Sequence, residues 1–257
     1  MPNVLLTESI AIELGATEPW PEDVRLFQQL EEEQILLPDR ALSRAVQAYL
    51  KMCSLEFTLE ERFNAEQMSP VPGQLPFIKA GPFVISEMSA IIDFVNKKGI
   101  TLSSHLDSSQ RADLKAHMTL VTNVFLSAEL YISWCHQDTL KKVTQPRFSF
   151  PYPWPLNRVL FWAKKRSVRK QLESLGWLDK TIEDVLTEVE SCCTALSERL
   201  DKSSYFYGEK PTELDALVYG HVSAITGTSL PDESLSGILE EYPKLIELRD
   251  RIHKTYF

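Results

Sequence analysis

Long apolar runs are missing from this chain of 257 residues. The longest, such as Ile35-Leu36-Leu37, are far shorter than the roughly 18 to 20 apolar residues that a membrane-spanning helix needs. We therefore expect no transmembrane helix. With 44% hydrophobic and 25% charged residues, the chain has the composition of a globular protein that buries a substantial core.

Cysteine and histidine are scarce and do not form metal-binding or redox motifs. The four cysteines (Cys53, Cys135, Cys192 and Cys193) include no C-x-x-C pair, so we expect reduced, mostly buried thiols. The five histidines (His105, His117, His136, His221 and His253) lack the spacing of metal ligands. The sequence predicts no metal site.

Basic residues are absent before Arg25, where Glu8, Glu13 and Glu18 occur instead. Matrix-targeting segments are rich in arginine and poor in acid, and secretory signals begin with basic residues. We expect neither signal here, and hence a protein that starts in the cytosolic compartment.

Acidic residues are absent from residues 139–172, which we name the basic segment. It contains Lys141, Lys142, Arg147, Arg158, Lys164, Lys165, Arg166, Arg169 and Lys170. The rest of the chain has 18 basic and 36 acidic residues, and the whole has a net charge of −9. An acidic chain of this kind argues against nucleic acid as a partner.

Two interpretations of the basic segment stay open. Residues 148–155, with four aromatics and three prolines, are predicted to be extended, and Arg158 to Leu172 to be helical. In the first interpretation the segment binds anionic lipid or an acidic protein. The candidate residues are Trp154, Arg158, Trp162, Lys164, Lys165, Arg166, Arg169 and Lys170. In the second it is a solvated face that balances the acidic body, while its aromatics cap the helical core.

The first hundred residues alternate between strand and helix patterns. Strands are predicted at 24–27, 55–63, 75–78 and 82–85, with Lys79-Ala80-Gly81 as a hairpin turn, and helices at 41–52 and 89–98. This is the element order of a thioredoxin-like domain, which we assign to residues 1–100. Residues 99–110 are a candidate linker.

The remaining residues, 101–257, are predicted to form an all-helical domain. Apolar stripes recur at helical spacing over 113–136 and 181–200. Thr212 and Asp215 have the spacing of a capping box, which would start a buried helix over 212–226.

Several segments, in this order along the chain, resemble the metaxin family, which lies within the glutathione-transferase superfamily. They include Glu18-Pro-Trp-Pro-Glu22, Leu75-Pro-Phe-Ile78, Ala128-Glu-Leu-Tyr131, Pro151-Tyr-Pro-Trp-Pro-Leu-Asn157 and Pro211-Thr-Glu-Leu-Asp-Ala-Leu-Val218. The resemblance extends from about Glu18 to Phe257. It implies an α/β thioredoxin-like N-terminal domain followed by an all-α C-terminal bundle.

The resemblance also implies a function. Metaxins are non-catalytic interaction subunits, peripheral on the cytosolic face of the mitochondrial outer membrane, and they need no cofactor. The expected partners are a metaxin-1-like protein in a heterodimer, an outer-membrane β-barrel assembly protein of the sorting and assembly machinery, and motor-adaptor proteins that attach mitochondria to transport motors.

The residues that would bind glutathione are degenerate by this comparison. A transferase of this superfamily has a Ser, Tyr or Cys at the start of its first helix, where Arg40 or Asp39 stands here, and Ser43 comes about a turn too late. Glu87 keeps the acid of the Glu/Gln-Ser pair, but Met88 replaces the serine, and Pro76 matches the structural cis-proline. We expect no glutathione chemistry. The alternative is a divergent glutathione-dependent transferase or thiol-binding enzyme.

Overall fold

The computed structural model describes residues 19–71 and 73–257, and in these it has four β-strands and twelve α-helices. The acidic N-terminal residues Glu8, Glu13 and Glu18 lie outside the described residues. No helix within the described ranges is long and apolar enough to cross a membrane.

The N-terminal part is a small mixed sheet flanked by helices. Its elements are β1 (Arg25–Gln28), α1 (Leu37–Met52), β2 (Thr58–Glu61), α2 (Ala65–Met68), β3 (Phe77–Ala80), β4 (Phe83–Ser86) and α3 (Met88–Lys97). The strand order is β2-β1-β3-β4. Strands β1 and β2 are parallel, as a helical crossover such as α1 requires, and the other pairs are antiparallel. The predicted thioredoxin-like order is confirmed.

Several predicted bounds in this part differ from the observed ones, most clearly at the hairpin and at the start of α1. Lys79 and Ala80 are not in the hairpin turn but pair with Val84 and Phe83, which leaves Gly81-Pro82 as the turn. Gly81 has φ +58°, a conformation in which glycine is favoured. Helix α1 begins at Leu37, before the first apolar repeat, because Pro38 fits the first turn of a helix, where no hydrogen-bond donor is needed.

The remaining residues form a helical bundle. Helix α4 (Ser108–Val121) continues through a π-helical turn (Thr122–Leu126) into α5 (Ser127–Trp134). It is followed by α6 (Gln137–Thr139), a second π-helical turn (Leu140–Thr144), α7 (Gln145–Ser149), α8 (Leu156–Ser174), α9 (Ile182–Leu200), α10 (Glu213–Gly227), α11 (Ser234–Glu240) and α12 (Pro243–Tyr256). The proposed domain boundary after residue 100 falls between α3 and α4 and stays a prediction.

Helix α10 is the centre of the bundle and begins at the predicted capping box. The Asp215 carboxylate accepts hydrogen bonds from the backbone N–H and the hydroxyl of Thr212, both at 2.7 Å, and from the Phe206 N–H at 3.0 Å. Every residue of α10 from Glu213 to Ile225 is buried. The predicted buried helix and its capping box are therefore confirmed.

Helices α1 and α10 approach closely enough to exclude a side chain between them. A Cβ atom added to Gly220 would lie 2.4 Å from the Ala41 carbonyl oxygen and 2.6 Å from Ala45. Residues of both helices belong to one hydrophobic core. The thioredoxin-like part and the bundle are thus packed as a unit through this contact.

The segment before α8 differs from its prediction. Phe148 and Ser149 end helix α7, and residues 150–155 form turns instead of an extended chain. The reason is tertiary, since the Phe148 ring packs against Trp134 and Phe161, with ring centroids 5.6 and 6.1 Å away. The predicted helix over Arg158 to Leu172 is confirmed as α8, with slightly wider bounds.

Candidate functional site: an interdomain cleft and an exposed aromatic and basic face

A cleft of about 670 Å³ lies between the thioredoxin-like part and the bundle. The first turn of α1, the loop before β3 and the start of α3 form one wall. The π-helical turn after α4, helix α5 and one side of α8 form the other. The lining includes Pro38, Asp39, Leu42, Gly73, Gln74, Leu75, Glu87, Met88, Ser89, Met118, Thr119, Thr122, Asn123, Leu126, Leu130, Trp134, Lys164, Ser167, Val168, Gln171 and Leu217.

Asp39, and not Arg40, is the residue of α1 that lines the cleft. The Arg40 guanidinium turns away and donates hydrogen bonds, both 3.0 Å long, to the Glu31 carbonyl oxygen and to the Thr228 hydroxyl. Of the two residues proposed for the catalytic position, only Asp39 therefore stands where a reacting group would be.

The nearest hydroxyl and thiol in α1 are directed elsewhere. Ser43 is buried and its hydroxyl donates to the Gln28 side chain. Cys53 lies beyond the other end of α1, and burial raises the pKa of its thiol to about 12. Neither group stands at the helix N-terminus, where a hydroxyl or thiol would stabilise a thiolate.

The loop before β3 and the start of α3 belong to the same wall as Asp39. The Leu75–Pro76 bond is cis, as the resemblance implies for Pro76. Glu87 precedes α3 with φ +70°, a strained conformation for a residue other than glycine that is often found at ligand sites. Met88 is buried and lines the cleft with a thioether, which cannot donate a hydrogen bond.

An ion pair beside the cleft joins the bundle to the thioredoxin-like part. The Lys164 ammonium on α8 lies 2.6 Å from the Glu66 carboxylate on α2, and only 24% of the Lys164 side chain is exposed. Although burial disfavours its charge, Glu66 and Asp39 hold the pKa of Lys164 above its ordinary value. Lys164 was predicted to belong to an external binding surface, but the structure places it in this internal pair.

The pKa of the Asp39 carboxyl lies close to neutral pH. Burial raises its pKa to about 7, although the Lys164 ammonium opposes this shift. Above that pH the cleft presents the carboxylates of Asp39 and Glu87, and its one lysine is already paired with Glu66. An ionised Asp39 carboxylate disfavours a thiolate beside it, because the two charges have the same sign.

Sequence reasoning missed the wall of the cleft that belongs to the bundle. Thr122, Asn123 and Leu126 lie in the π-helical turn and line the cleft. Such turns are common at functional sites, but their residues follow the same apolar pattern as an ordinary helix. No signal in the sequence distinguished them.

The other predicted binding residues do not line the cleft and lie on α8 or, for Trp154, directly before it. Trp154, Arg158, Trp162, Arg166, Arg169 and Lys170 are exposed, and Lys165 is half-buried. The Arg166 guanidinium lies 5.8 Å from the centre of the Trp162 ring, within reach of a cation–π interaction. The structure thus leaves most of these side chains accessible, with Arg166 beside Trp162, and places Lys164 in the cleft.

Residues that could hold a metal are not grouped. The described ranges contain no cluster of three or more His, Cys, Asp or Glu side chains with suitable geometry. Cys192 and Cys193 are buried, Cys53 and Cys135 are half-buried, and all four are unpaired.

Comparison with known proteins places the chain in a family. Residues 43–165 match the family model described as outer mitochondrial membrane transport complex protein, and residues 189–252 match the glutathione S-transferase C-terminal domain. The chain is 47% identical to Metaxin-2 of Mus musculus over 98% of its own length and 96% of that relative. It is 27% identical to Metaxin-1 of the same species, over 84% of this chain and 69% of that one.

Solved structures support the same fold. The β-etherase LigF from Sphingobium sp. strain SYK-6 superposes with a TM-score of 0.57 at 16% identity, covering 89% of this chain and 94% of the other. At that identity the likeness concerns the fold alone. The fold and the 47% identity over nearly the full length lead to one conclusion: the chain belongs to the metaxin family and has the architecture of the glutathione-transferase superfamily.

Proposed function

We propose that this chain is a non-catalytic interaction subunit of a transport complex in the mitochondrial outer membrane. The observation that carries the proposal is a transferase-like cleft in which Asp39 stands where a thiolate-stabilising hydroxyl would be. The 47% identity to Metaxin-2 and the match to the outer-membrane transport family support the same function.

The chemistry of the cleft supports the non-catalytic part of the proposal. Asp39 adds negative charge, Met88 removes a hydrogen-bond donor, and Lys164 is neutralised by Glu66. Each change weakens the binding of an anionic thiol peptide, whereas the tight contact of α1 with α10 preserves the scaffold. Retained packing with altered site chemistry is expected of a fold that has been reused for binding.

The partners belong to the same proposal. Metaxin-1 is related to this chain in sequence, and we propose that this chain forms a heterodimer with such a relative in which similar faces meet. The heterodimer sits peripherally on the cytosolic face and serves the sorting and assembly of β-barrel proteins together with an outer-membrane barrel protein. It also attaches mitochondria to transport motors through motor-adaptor proteins.

The test is isolation of the tagged protein from mitochondria in mild detergent, followed by sizing and identification of the co-purified chains. We expect a complex much larger than the 29.4 kDa chain, with a second metaxin and an outer-membrane barrel protein. Recovery as a free monomer or homodimer would contradict the proposal.

A glutathione titration separates this proposal from the alternative of a divergent transferase. We expect no saturable binding by the natural protein at millimolar glutathione. The double variant Asp39→Ser, Met88→Ser removes one carboxylate and adds two hydroxyls, so we expect it to gain measurable binding. Saturable binding and turnover by the natural protein would favour the alternative.

A further inference from the structure

A dense group of exposed apolar side chains surrounds the start of α8. Phe150 is 60% exposed, Trp154 76%, Val159 59% and Trp162 62%, and Leu156 lies between them. Single exposed apolar residues are ordinary, but a contiguous group of this size marks a contact surface. Much of this apolar area lies on or directly before one helix.

Helical geometry places apolar and basic side chains on the same outward face. At 100° per residue, Arg158, Val159, Arg166 and Arg169 all project within about 60° of Trp162. The rest of the circumference of α8 carries Val168 and Leu172, which are buried, and Lys164, which lines the cleft. We name the outward side, with Phe150 and Trp154, the aromatic–basic face.

A hydrogen bond and an aromatic contact hold the turns before α8 in place. The Gln67 amide on α2 donates a 2.7 Å hydrogen bond to the Tyr152 hydroxyl, and Phe148 packs against Tyr152 with ring centroids 6.1 Å apart. Phe148 and Tyr152 therefore anchor the segment, while the alternate aromatics, Phe150 and Trp154, project into solvent. The exposure of these two rings is a property of the packed structure.

The charges of this face lack acidic partners. Among the described residues, no carboxylate lies within ion-pair distance of Arg158, Arg166, Arg169 or Lys170. An acidic peptide would neutralise these cations but leave the tryptophan, valine and phenylalanine side chains in water. A lipid headgroup layer suits both the cations and the apolar side chains, because it places phosphates beside the edge of the acyl chains. Tryptophan is enriched at that depth.

We propose that the aromatic–basic face docks directly on an anionic phospholipid surface. Trp154, Trp162 and Val159 then lie at the level of the headgroups, and Arg158, Arg166 and Arg169 contact lipid phosphates. The inference rests on the proposed function for the identity of the membrane, but it concerns an attachment made by this chain without any partner.

Vesicle sedimentation with the purified full chain tests the attachment. We expect binding to phosphatidylcholine vesicles that contain phosphatidylinositol or phosphatidylserine, and much weaker binding to phosphatidylcholine alone. The variant Arg166→Glu, Arg169→Glu should bind at least about 25-fold less tightly, since one charge near such a surface changes affinity roughly fivefold. Its matched control is Lys202→Glu, Lys210→Glu, which makes the same charge change at two exposed positions outside α8 and should reduce binding far less.

A second pair of variants tests the apolar contribution. Trp154→Ser, Trp162→Ser should weaken vesicle binding by at least about tenfold, from the apolar area that no longer leaves water. Phe257→Ser removes an aromatic ring that is 46% exposed at the end of α12 and should leave binding unchanged. Circular dichroism of every variant shows that it is folded, so a loss of binding reports the surface itself.

Quenching by brominated lipids tests the depth of the contact. Tryptophan emission of the natural protein should fall on anionic brominated vesicles. Trp154→Phe, Trp162→Phe should still bind but lose most of that quenching. Binding without any quenching would overturn the proposed headgroup depth.

The outcomes separate this inference from the proposed function. If the purified chain does not bind anionic vesicles yet co-purifies with the outer-membrane complex, lipid docking by the aromatic–basic face is refuted. The proposed function as an interaction subunit is then still supported. If no form of the protein binds vesicles, and the variant Arg166→Glu, Arg169→Glu no longer co-purifies with the second metaxin, the lipid proposal is refuted. The face then binds an acidic protein instead. Vesicle binding by a chain that forms no complex would support the lipid surface and contradict the proposed function.

Discussion

Both sides of helix α8 carry basic residues, but their surroundings differ. On the inward side, Lys164 pairs with Glu66 across the cleft, and Val168 and Leu172 are buried. On the outward side, Arg166 and Arg169 are exposed beside Trp162. Basic residues that are close in sequence therefore differ in role. Lys164 joins the two parts of the fold, whereas Arg166 and Arg169 are accessible to a binding partner.

The largest expected effect comes from separating the helices behind the cleft. Gly220→Ala should lower the free energy of unfolding by about 3 kcal/mol, because its Cβ would overlap the Ala41 carbonyl and Ala45. Gly237→Ala in α11 is the control, since a Cβ there meets nothing within 4 Å, and it should be neutral or slightly stabilising. Chemical denaturation measures both, and equal effects would show that α1 and α10 can move apart.

Adjacent lysines give the sharpest test of the comparison. Lys164→Ala should lower the free energy of unfolding by about 2 kcal/mol, because it leaves the part-buried Glu66 carboxylate without its charged donor. Lys165→Ala should change it by less than about 0.5 kcal/mol. If the two variants were equally stable, the inward side of α8 would not join the two parts of the fold.

The smallest effect concerns the protonation of Asp39. Its pKa in the folded protein is raised to about 7, so between about pH 4 and 7 the folded state holds a proton that the unfolded state has lost. The contribution of Asp39 to stability is therefore lost as the pH rises through 7. Asp39→Asn should remove this dependence and be more stable than the natural protein by about 1 kcal/mol at pH 8, a modest value because the cleft is open to water.

Denaturation at pH 5 and pH 8 measures this difference. The gain from Asp39→Asn should be clearly larger at pH 8 than at pH 5, with Asp138→Asn, an exposed carboxylate outside the cleft, as the control. A gain of the same size at both values would mean that Asp39 titrates in its ordinary range.

Much of the fold could be predicted because its signals are local. The alternation of β1, the apolar stripe of α9 and the Thr212–Asp215 capping box depend on residues within one or two turns of each other. The orientation of Arg40 and Asp39 could not be predicted in this way. One residue is a 100° rotation on a helix, so a small uncertainty in where α1 begins decides which side chain enters the cleft.

The element order, the family and the concentration of positive charge in residues 139–172 follow from the chain alone. These are properties of composition and short-range pattern. The pairing of Lys164 with Glu66, 98 residues away in the chain, and the exposure of Trp154 and Trp162 appear only in the folded protein. They could not be predicted because burial depends on which distant elements pack against each side of α8, and that packing is a property of the whole chain.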